Sequence, residues 1–85
     1  MKLDQRIMRL VAVGASIPAN CRPCLEINAA EALKNGADPQ EIAEAIQVGK
    51  LVRQAAASKM DRFAQEQHHV AVSSVKTAEG GCGCQ

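Results

Sequence analysis

The chain has 85 residues, of which 47% are apolar, yet Phe63 is its only aromatic residue. Ten basic and nine acidic residues leave a net charge of +1. This balance argues against nucleic acid as the main partner, because phosphate binding needs a concentrated basic face. The scarcity of aromatic and β-branched residues argues against a sandwich or barrel. Alanine, leucine, glutamate, glutamine, lysine and arginine, all strong helix formers, predict an all-α protein.

The beginning of the chain gives no sign of a secretory signal, because the segment from Met1 to Arg6 is charged. The longest apolar run, from Leu10 to Ala15, is far shorter than the roughly 20 residues that span a bilayer. We therefore expect a cytoplasmic protein without a membrane partner. Its four cysteines are then of interest, since cytosolic cysteines are more often catalytic or metal-binding than structural.

The first predicted helix runs from about Asp4 to Ile17. Apolar or small residues recur at spacings of three and four, which is typical of one helix face: Leu3, Ile7, Leu10, Gly14 and Ile17. Pro18 should end the helix, since proline disfavours helical backbone in the residue before it.

Asn20 is the predicted N-cap of a second helix, which begins around Cys21. This helix should stop at Asn35-Gly36, a pair suited to a left-handed C-terminal cap. A third helix should then open at Asp38-Pro39, with Glu41 placed to complete a capping box.

The third helix should extend to about residue 66, which makes a rod of roughly 42 Å. Gly49 lies within it, either as an interruption or at a close helix crossing. The rod is longer than the other two helices can cover, so its apolar stripe predicts a homo-oligomer. The residues expected in the core or an interface are Leu25, Ile27, Leu33, Ile42, Ile46, Val52, Met60 and Phe63. We expect a helical domain over residues 1–67 and a flexible tail over residues 68–85, which ends in Cys82-Gly83-Cys84-Gln85.

The motif Cys21-Arg22-Pro23-Cys24 carries the most chemistry. Cysteines three residues apart at a helix start lie with Cα atoms about 5–6 Å apart, within reach of a disulfide. The helix N-terminus favours the thiolate form, and Arg22 adds positive charge. Such a pair can attack an electrophile with one sulfur and resolve the product with the other. A C-x-x-C motif also occurs in zinc sites and thioredoxin-like proteins, and two cysteines can simply be small buried hydrophobes.

The stretch from Leu10 to Ile46 resembles the core of the carboxymuconolactone decarboxylase family, and most closely its alkylhydroperoxidase D-like branch. The resemblance covers residues 9 to about 56. It combines a small-residue helix, C-x-x-C opening the next helix, and then A-L-x-x-G-A-x-x-x-E-I-x-E-A-I. It implies an all-helical oligomer that reduces peroxides or exchanges thiols and disulfides with a thiol or disulfide electron donor. Cys24 would be the attacking thiol and Cys21 the resolving one. No organic cofactor is implied, because the sulfurs themselves carry the electrons.

Three positions depart from the proton relay that the resemblance implies. Arg9 stands in place of a glutamate, and Pro23 and Asn28 stand in place of histidines. Asn28 cannot take a proton near pH 7. A general base typically contributes about 10²–10⁴-fold, so we expect a poor peroxidase unless another group replaces the relay.

Four residues are candidate replacements for the relay, although residues in such positions are more often plain surface residues: Glu26, Glu31, His68 and His69. Lactone decarboxylation is less expected still, because it would need an acid–base set of its own.

Cys82 and Cys84 are candidate auxiliary thiols. The tail is long enough to carry them to Cys21 and Cys24, so they could exchange disulfides with the helical pair. Alternatively, the four thiolates could enclose a soft metal or metalloid ion. A member of the family that has lost its chemistry, and a tail whose cysteines do nothing specific, are the remaining alternatives. We expect a thiol–disulfide oxidoreductase or weak peroxidase that acts through Cys21 and Cys24.

Overall fold

The computed structural model describes residues 1–71, and the side chains of residues 1–67. It contains three helices: α1 (Gln5–Ser16), α2 (Arg22–Lys34) and α3 (Pro39–Ala71). No strand occurs within residues 1–71, so the predicted all-α class is confirmed. The predicted tail, with Cys82 and Cys84, lies outside the described residues apart from the last turn of α3. Along the described part of the chain, no helix combines the length and hydropathy needed to cross a membrane.

Helix α1 begins and ends close to the predicted positions. The Asp4 side chain caps it, accepting a hydrogen bond of 2.8 Å from the Ile7 backbone N–H. Ser16 ends the helix; its side chain is buried, and its hydroxyl donates to the Val13 carbonyl at 2.7 Å. The hydroxyl is therefore satisfied within the helix, as a buried polar group must be.

The N-cap of α2 differs from the prediction. Asn20 has a φ of 56°, in the left-handed region that asparagine tolerates, whereas an N-cap has extended backbone. Cys21, with φ −108° and ψ 99°, is the N-cap instead. Asn20 turns the chain so that the Cys21 N–H donates to the Ser16 carbonyl at 3.1 Å. The expectation for Asn20 was wrong by one residue, and the correction places a cysteine sulfur at the cap.

The turn between α2 and α3 follows the predicted chemistry. Gly36 has a φ of 101°, as the left-handed cap after α2 requires. The Glu41 N–H donates to the Asp38 side chain at 2.8 Å, and the Asp38 N–H donates to the Glu41 carboxylate at 3.1 Å. This is the reciprocal capping box. The same carboxylate pairs with Arg6 of α1 at 2.6 Å, so the start of α3 is tied to α1.

Gly49 marks a close crossing of α1 and α3, which was one of its two predicted roles. Helix α3 continues through it without interruption to Ala71, beyond the predicted end near residue 66. A Cβ at residue 49 would overlap the Gly14 carbonyl oxygen and lie 2.8 Å from the Ile17 Cβ. Only glycine lets the two backbones approach this closely.

The buried core within one chain is small. Val13, Ala32 and Ala37 are its buried apolar residues among those described. Of the residues predicted for core or interface, Leu25, Ile42 and Ile46 are half-buried. The other five are each more than half exposed: Ile27, Leu33, Val52, Met60 and Phe63. Every residue of α3 from 50 to 67 is exposed. The outer part of α3, residues 50–67, is therefore uncovered, whereas the cysteine turn, residues 17–24, is tied to the end of α1 by the backbone hydrogen bond from Cys21 to Ser16.

Candidate active site

Cys21 and Cys24 form a disulfide at the start of α2, with their Cα atoms 5.2 Å apart. This separation agrees with that expected from their spacing in the sequence. Cys21 is the N-cap and Cys24 lies in the first turn, because Arg22 begins the helix and Pro23 suits its opening positions. A pair held in one helical turn can pass between disulfide and dithiol without rebuilding the backbone.

The two sulfurs have different surroundings. The Cys24 backbone N–H donates a hydrogen bond of 3.2 Å to the Cys21 sulfur, as it would to a capping oxygen. This bond and the helix N-terminus favour negative charge on Cys21 when the disulfide is reduced. Cys24 is the exposed member of the pair, whereas Cys21 is half-buried. An incoming molecule therefore reaches Cys24 more easily, and Cys21 is the better stabilised thiolate.

A pocket of about 340 Å³ lies beside Cys21. It is lined by both helices at the turn and by one residue of α3: Ser16, Ile17, Asn20, Cys21, Arg22, Leu25 and Arg53. Arg53 follows Gly49 by one helical turn, so the close crossing of α1 and α3 brings its side chain to the cysteine turn. Arg22 was recognised in the sequence, but Arg53 was not. Its place at the site depends on the helix crossing, which no local spacing reveals.

The residues at two implied relay positions contact each other. The Arg9 guanidinium donates from Nη1 to the Asn28 Oδ1 at 2.8 Å, and Asn28 Nδ2 donates to the Cys24 carbonyl at 2.8 Å. Arg9 Nε is buried and has no hydrogen-bond partner among the described residues. These two hydrogen bonds link α1 to the cysteine turn, but neither Arg9 nor Asn28 can act as a general acid or base near pH 7. Pro23, at the third position, lacks even a backbone N–H.

The candidate replacement acids do not line the pocket beside Cys21. Glu31 forms an ion pair of 3.5 Å with Lys34 on the surface of α2. Glu26 is exposed. The side chains of His68 and His69 lie outside the described residues, so their proposed reach to a neighbouring site stays a prediction. Within the part of the chain that the structure describes, no three His, Cys, Asp or Glu residues form a metal-binding group.

Comparison with known protein families identifies the family of the chain. The sequence profile of the carboxymuconolactone decarboxylase family matches residues 1–66, more than three quarters of the chain. The match extends beyond the segment from residue 9 to about 56 that carries the resemblance in the sequence, and it includes all of α1, α2 and most of α3. No curated protein and no solved structure matches the chain. With its three helices and its Cys21–Cys24 pair, the chain belongs to the carboxymuconolactone decarboxylase family.

Proposed function

We propose that the protein is a thiol–disulfide oxidoreductase of alkylhydroperoxidase-like type, with Cys21 and Cys24 as its catalytic residues. The observation that carries this proposal is the disulfide at the start of α2, in which Cys24 is an exposed residue and the Cys21 sulfur accepts a hydrogen bond. A structural disulfide would link distant segments, whereas this one closes a single turn and constrains little of the unfolded chain. Its position therefore fits chemistry better than stabilisation.

The surroundings of the two sulfurs support different roles for them. A donor thiolate attacks the exposed Cys24 sulfur, a new S–S bond forms, and the Cys21–Cys24 bond breaks. Its electron pair leaves on Cys21, where the Cys24 N–H stabilises the thiolate. A second donor thiolate then attacks the donor sulfur bound to Cys24 and releases the donor disulfide. The protein gains two electrons and ends as a dithiol, with Cys24 protonated by solvent.

Disulfides suit this site better than hydroperoxides as oxidants. Reduction of a hydroperoxide by Cys24 breaks an O–O bond and expels an alkoxide, a much stronger base than a thiolate, so a nearby acid accelerates the step. The Arg9–Asn28 pair offers no such acid. A leaving thiolate is weakly basic and departs without one. Peroxide reduction is therefore proposed only as a slow side reaction.

A homo-oligomer is part of the proposal. The face of α3 that packs on α1 at Gly49 continues beyond the crossing as Val52, Ala56, Met60 and Phe63, at spacings of three and four. Within the described chain nothing covers this stripe, and Val52, Met60 and Phe63 are 52%, 64% and 56% exposed. A second copy offers the same stripe, so two copies can cover each other.

The proposed activity can be measured as the oxidation of dithiothreitol by a small disulfide or a hydroperoxide. The variant Cys82→Ser with Cys84→Ser serves as the background, so that only the helical pair can react. We expect Cys24→Ser in this background to reduce turnover to the uncatalysed rate, and disulfides to be turned over faster than hydroperoxides. Equal rates with and without Cys24 would contradict the enzymatic function.

A further inference from the structure

Two arginines from different helices line the pocket beside Cys21. Arg22 comes from the first position of α2 and Arg53 from α3, and the lining contains no carboxylate. Among the residues that the structure describes, neither guanidinium forms an ion pair; the cations that do are Arg6 and Lys34. Both charges are therefore available to a bound molecule.

The positive charge at this pocket is local. The whole chain has a net charge of only +1, so it exerts little general attraction on anions. At the pocket, the N-terminus of the 13-residue helix α2 adds its partial positive charge to the two guanidinium groups. Of the five other lining residues, Ile17 and Leu25 are apolar, which suits a short carbon chain next to an anionic end.

We propose that this pocket selects small disulfides that carry a carboxylate close to the sulfur, and that Arg53 and Arg22 bind the carboxylate. This inference rests on the proposed thiol–disulfide exchange and adds its substrate class. Guanidinium groups suit the role because their planar N–H groups match the two oxygens of a carboxylate. Arg53 is the specificity-determining residue. It lines the pocket but lies on α3, outside the cysteine motif and outside α2, so its replacement leaves the reacting sulfurs in place.

The reaction balances without a further reactant. Cys24 does not line the pocket, but its Cα is only 5.2 Å from that of Cys21, so a substrate whose carboxylate is held by the two arginines extends out of the pocket to reach it. The Cys24 thiolate of the reduced protein attacks one sulfur of the substrate, the substrate S–S bond breaks, and a carboxylate-bearing thiolate leaves and takes a proton from water. The Cys21 thiolate then attacks the Cys24 sulfur, closes the Cys21–Cys24 bond and expels the second thiolate. The protein dithiol loses two electrons, and the substrate disulfide gains them.

A matched series of three disulfides tests the selection. Dithiodipropionate, 2-hydroxyethyl disulfide and cystamine place a carboxylate, a hydroxyl and an ammonium at the same distance from sulfur. Pre-reduced protein lacking Cys82 and Cys84 is mixed with each, and the second-order rate constant of its oxidation is measured. We expect Arg53→Gln to slow the reaction with dithiodipropionate about fivefold, to leave 2-hydroxyethyl disulfide unchanged, and to speed cystamine. The ratio of variant to wild type cancels the intrinsic reactivity of each disulfide.

Two further variants make the test specific. Arg53→Lys should retain most of the preference, because it keeps the charge. Arg62→Gln removes the same charge from α3, nine residues and about 14 Å farther along the helix, and should have no selective effect. The wild-type preference should also fall in 1 M salt, where the Debye length shrinks to about 3 Å.

Two results would overturn the inference. Arg53→Gln could slow all three disulfides equally, or Arg62→Gln could have the same effect as Arg53→Gln; either would show that the pocket does not select charge, with the exchange activity intact. If the wild-type protein reacts with none of the three disulfides, the proposed function itself fails, and the inference with it.

Discussion

The cysteine turn is partly exposed and the outer part of α3, residues 50–67, is exposed throughout, and the two regions also differ in how they are held. Backbone hydrogen bonds to Ser16 and Ile17 fix the turn, and the Cys24 N–H holds the Cys21 sulfur. The outer part of α3 has large apolar side chains in solvent, and no other segment within residues 1–71 covers it. In the cysteine turn, exposure leaves Cys24 accessible to solvent while the backbone hydrogen bonds keep its position fixed. Exposure of an apolar stripe gives a surface that lowers its free energy by finding a partner.

The largest expected effect is on association through the outer part of α3. Replacing Met60 and Phe63 together by serine should weaken self-association about 1,000-fold. Full burial of such a side chain contributes roughly 1.5–3 kcal/mol, and because Met60 and Phe63 are 64% and 56% exposed, about half of that remains to be gained by each of the four side chains in a dimer. Sedimentation velocity over a range of concentrations measures the change. Gln54→Ser with Gln65→Ser, on the opposite face of α3, is the matched control and should associate normally. Association that survives the Met60 and Phe63 substitutions would place the interface elsewhere.

A second prediction adds proton transfer to the cysteine turn. Arg9 and Asn28 are within hydrogen-bond distance of each other, and Asn28 lies one turn after Cys24. Arg9→Glu combined with Asn28→His would place an acid–base pair there and should raise the rate of hydroperoxide reduction about 100-fold. Disulfide exchange should change far less, since its leaving group needs no acid.

The control for this second prediction is Arg9→Gln, which removes the charge without supplying a proton donor and should leave peroxide reduction slow. Stopped-flow oxidation of the reduced protein by a hydroperoxide provides the measurement. An unchanged rate in the doubly substituted protein would show that the missing relay is not what limits peroxide chemistry.

The smallest expected effect concerns the crossing that joins the two regions. Gly49→Ala should destabilise the protein by about 2 kcal/mol, although alanine favours helix, because its Cβ overlaps the Gly14 carbonyl oxygen. Ser58→Ala, on the exposed part of α3, should instead be neutral or slightly stabilising. Denaturant unfolding followed by circular dichroism distinguishes the two. Unchanged stability in Gly49→Ala would mean that the crossing is looser than described.

Features governed by local chemistry were predictable from the sequence. The capping box of Asp38 and Glu41 and the left-handed Gly36 follow from residues a few positions apart. The disulfide separation follows from the helical spacing of its two cysteines. The N-cap was misplaced because asparagine serves both as a cap and as a left-handed turn residue, and cysteine is not a usual cap.

Features that join different helices were not predictable in the same way. Arg53 reaches the pocket only because α1 and α3 cross at Gly49, and a sequence alone does not set that crossing. The resemblance to the family marked Arg9 and Asn28 as departures, but their hydrogen bond across α1 and α2 came from the fold. Two of the relay positions are therefore occupied by residues that are hydrogen-bonded to each other, which the departures in the sequence did not reveal.

Trapping the first covalent intermediate tests the division of roles between the two sulfurs most directly. With Cys82 and Cys84 replaced by serine, reduced Cys21→Ser and reduced Cys24→Ser are each mixed with 2-hydroxyethyl disulfide, and the mixed disulfide is followed by mass spectrometry. The Cys21→Ser protein should accumulate the adduct on Cys24, faster than the Cys24→Ser protein does on Cys21. An adduct that forms as fast on Cys21, or on neither sulfur, would contradict the assignment of Cys24 as the exposed, attacking thiol.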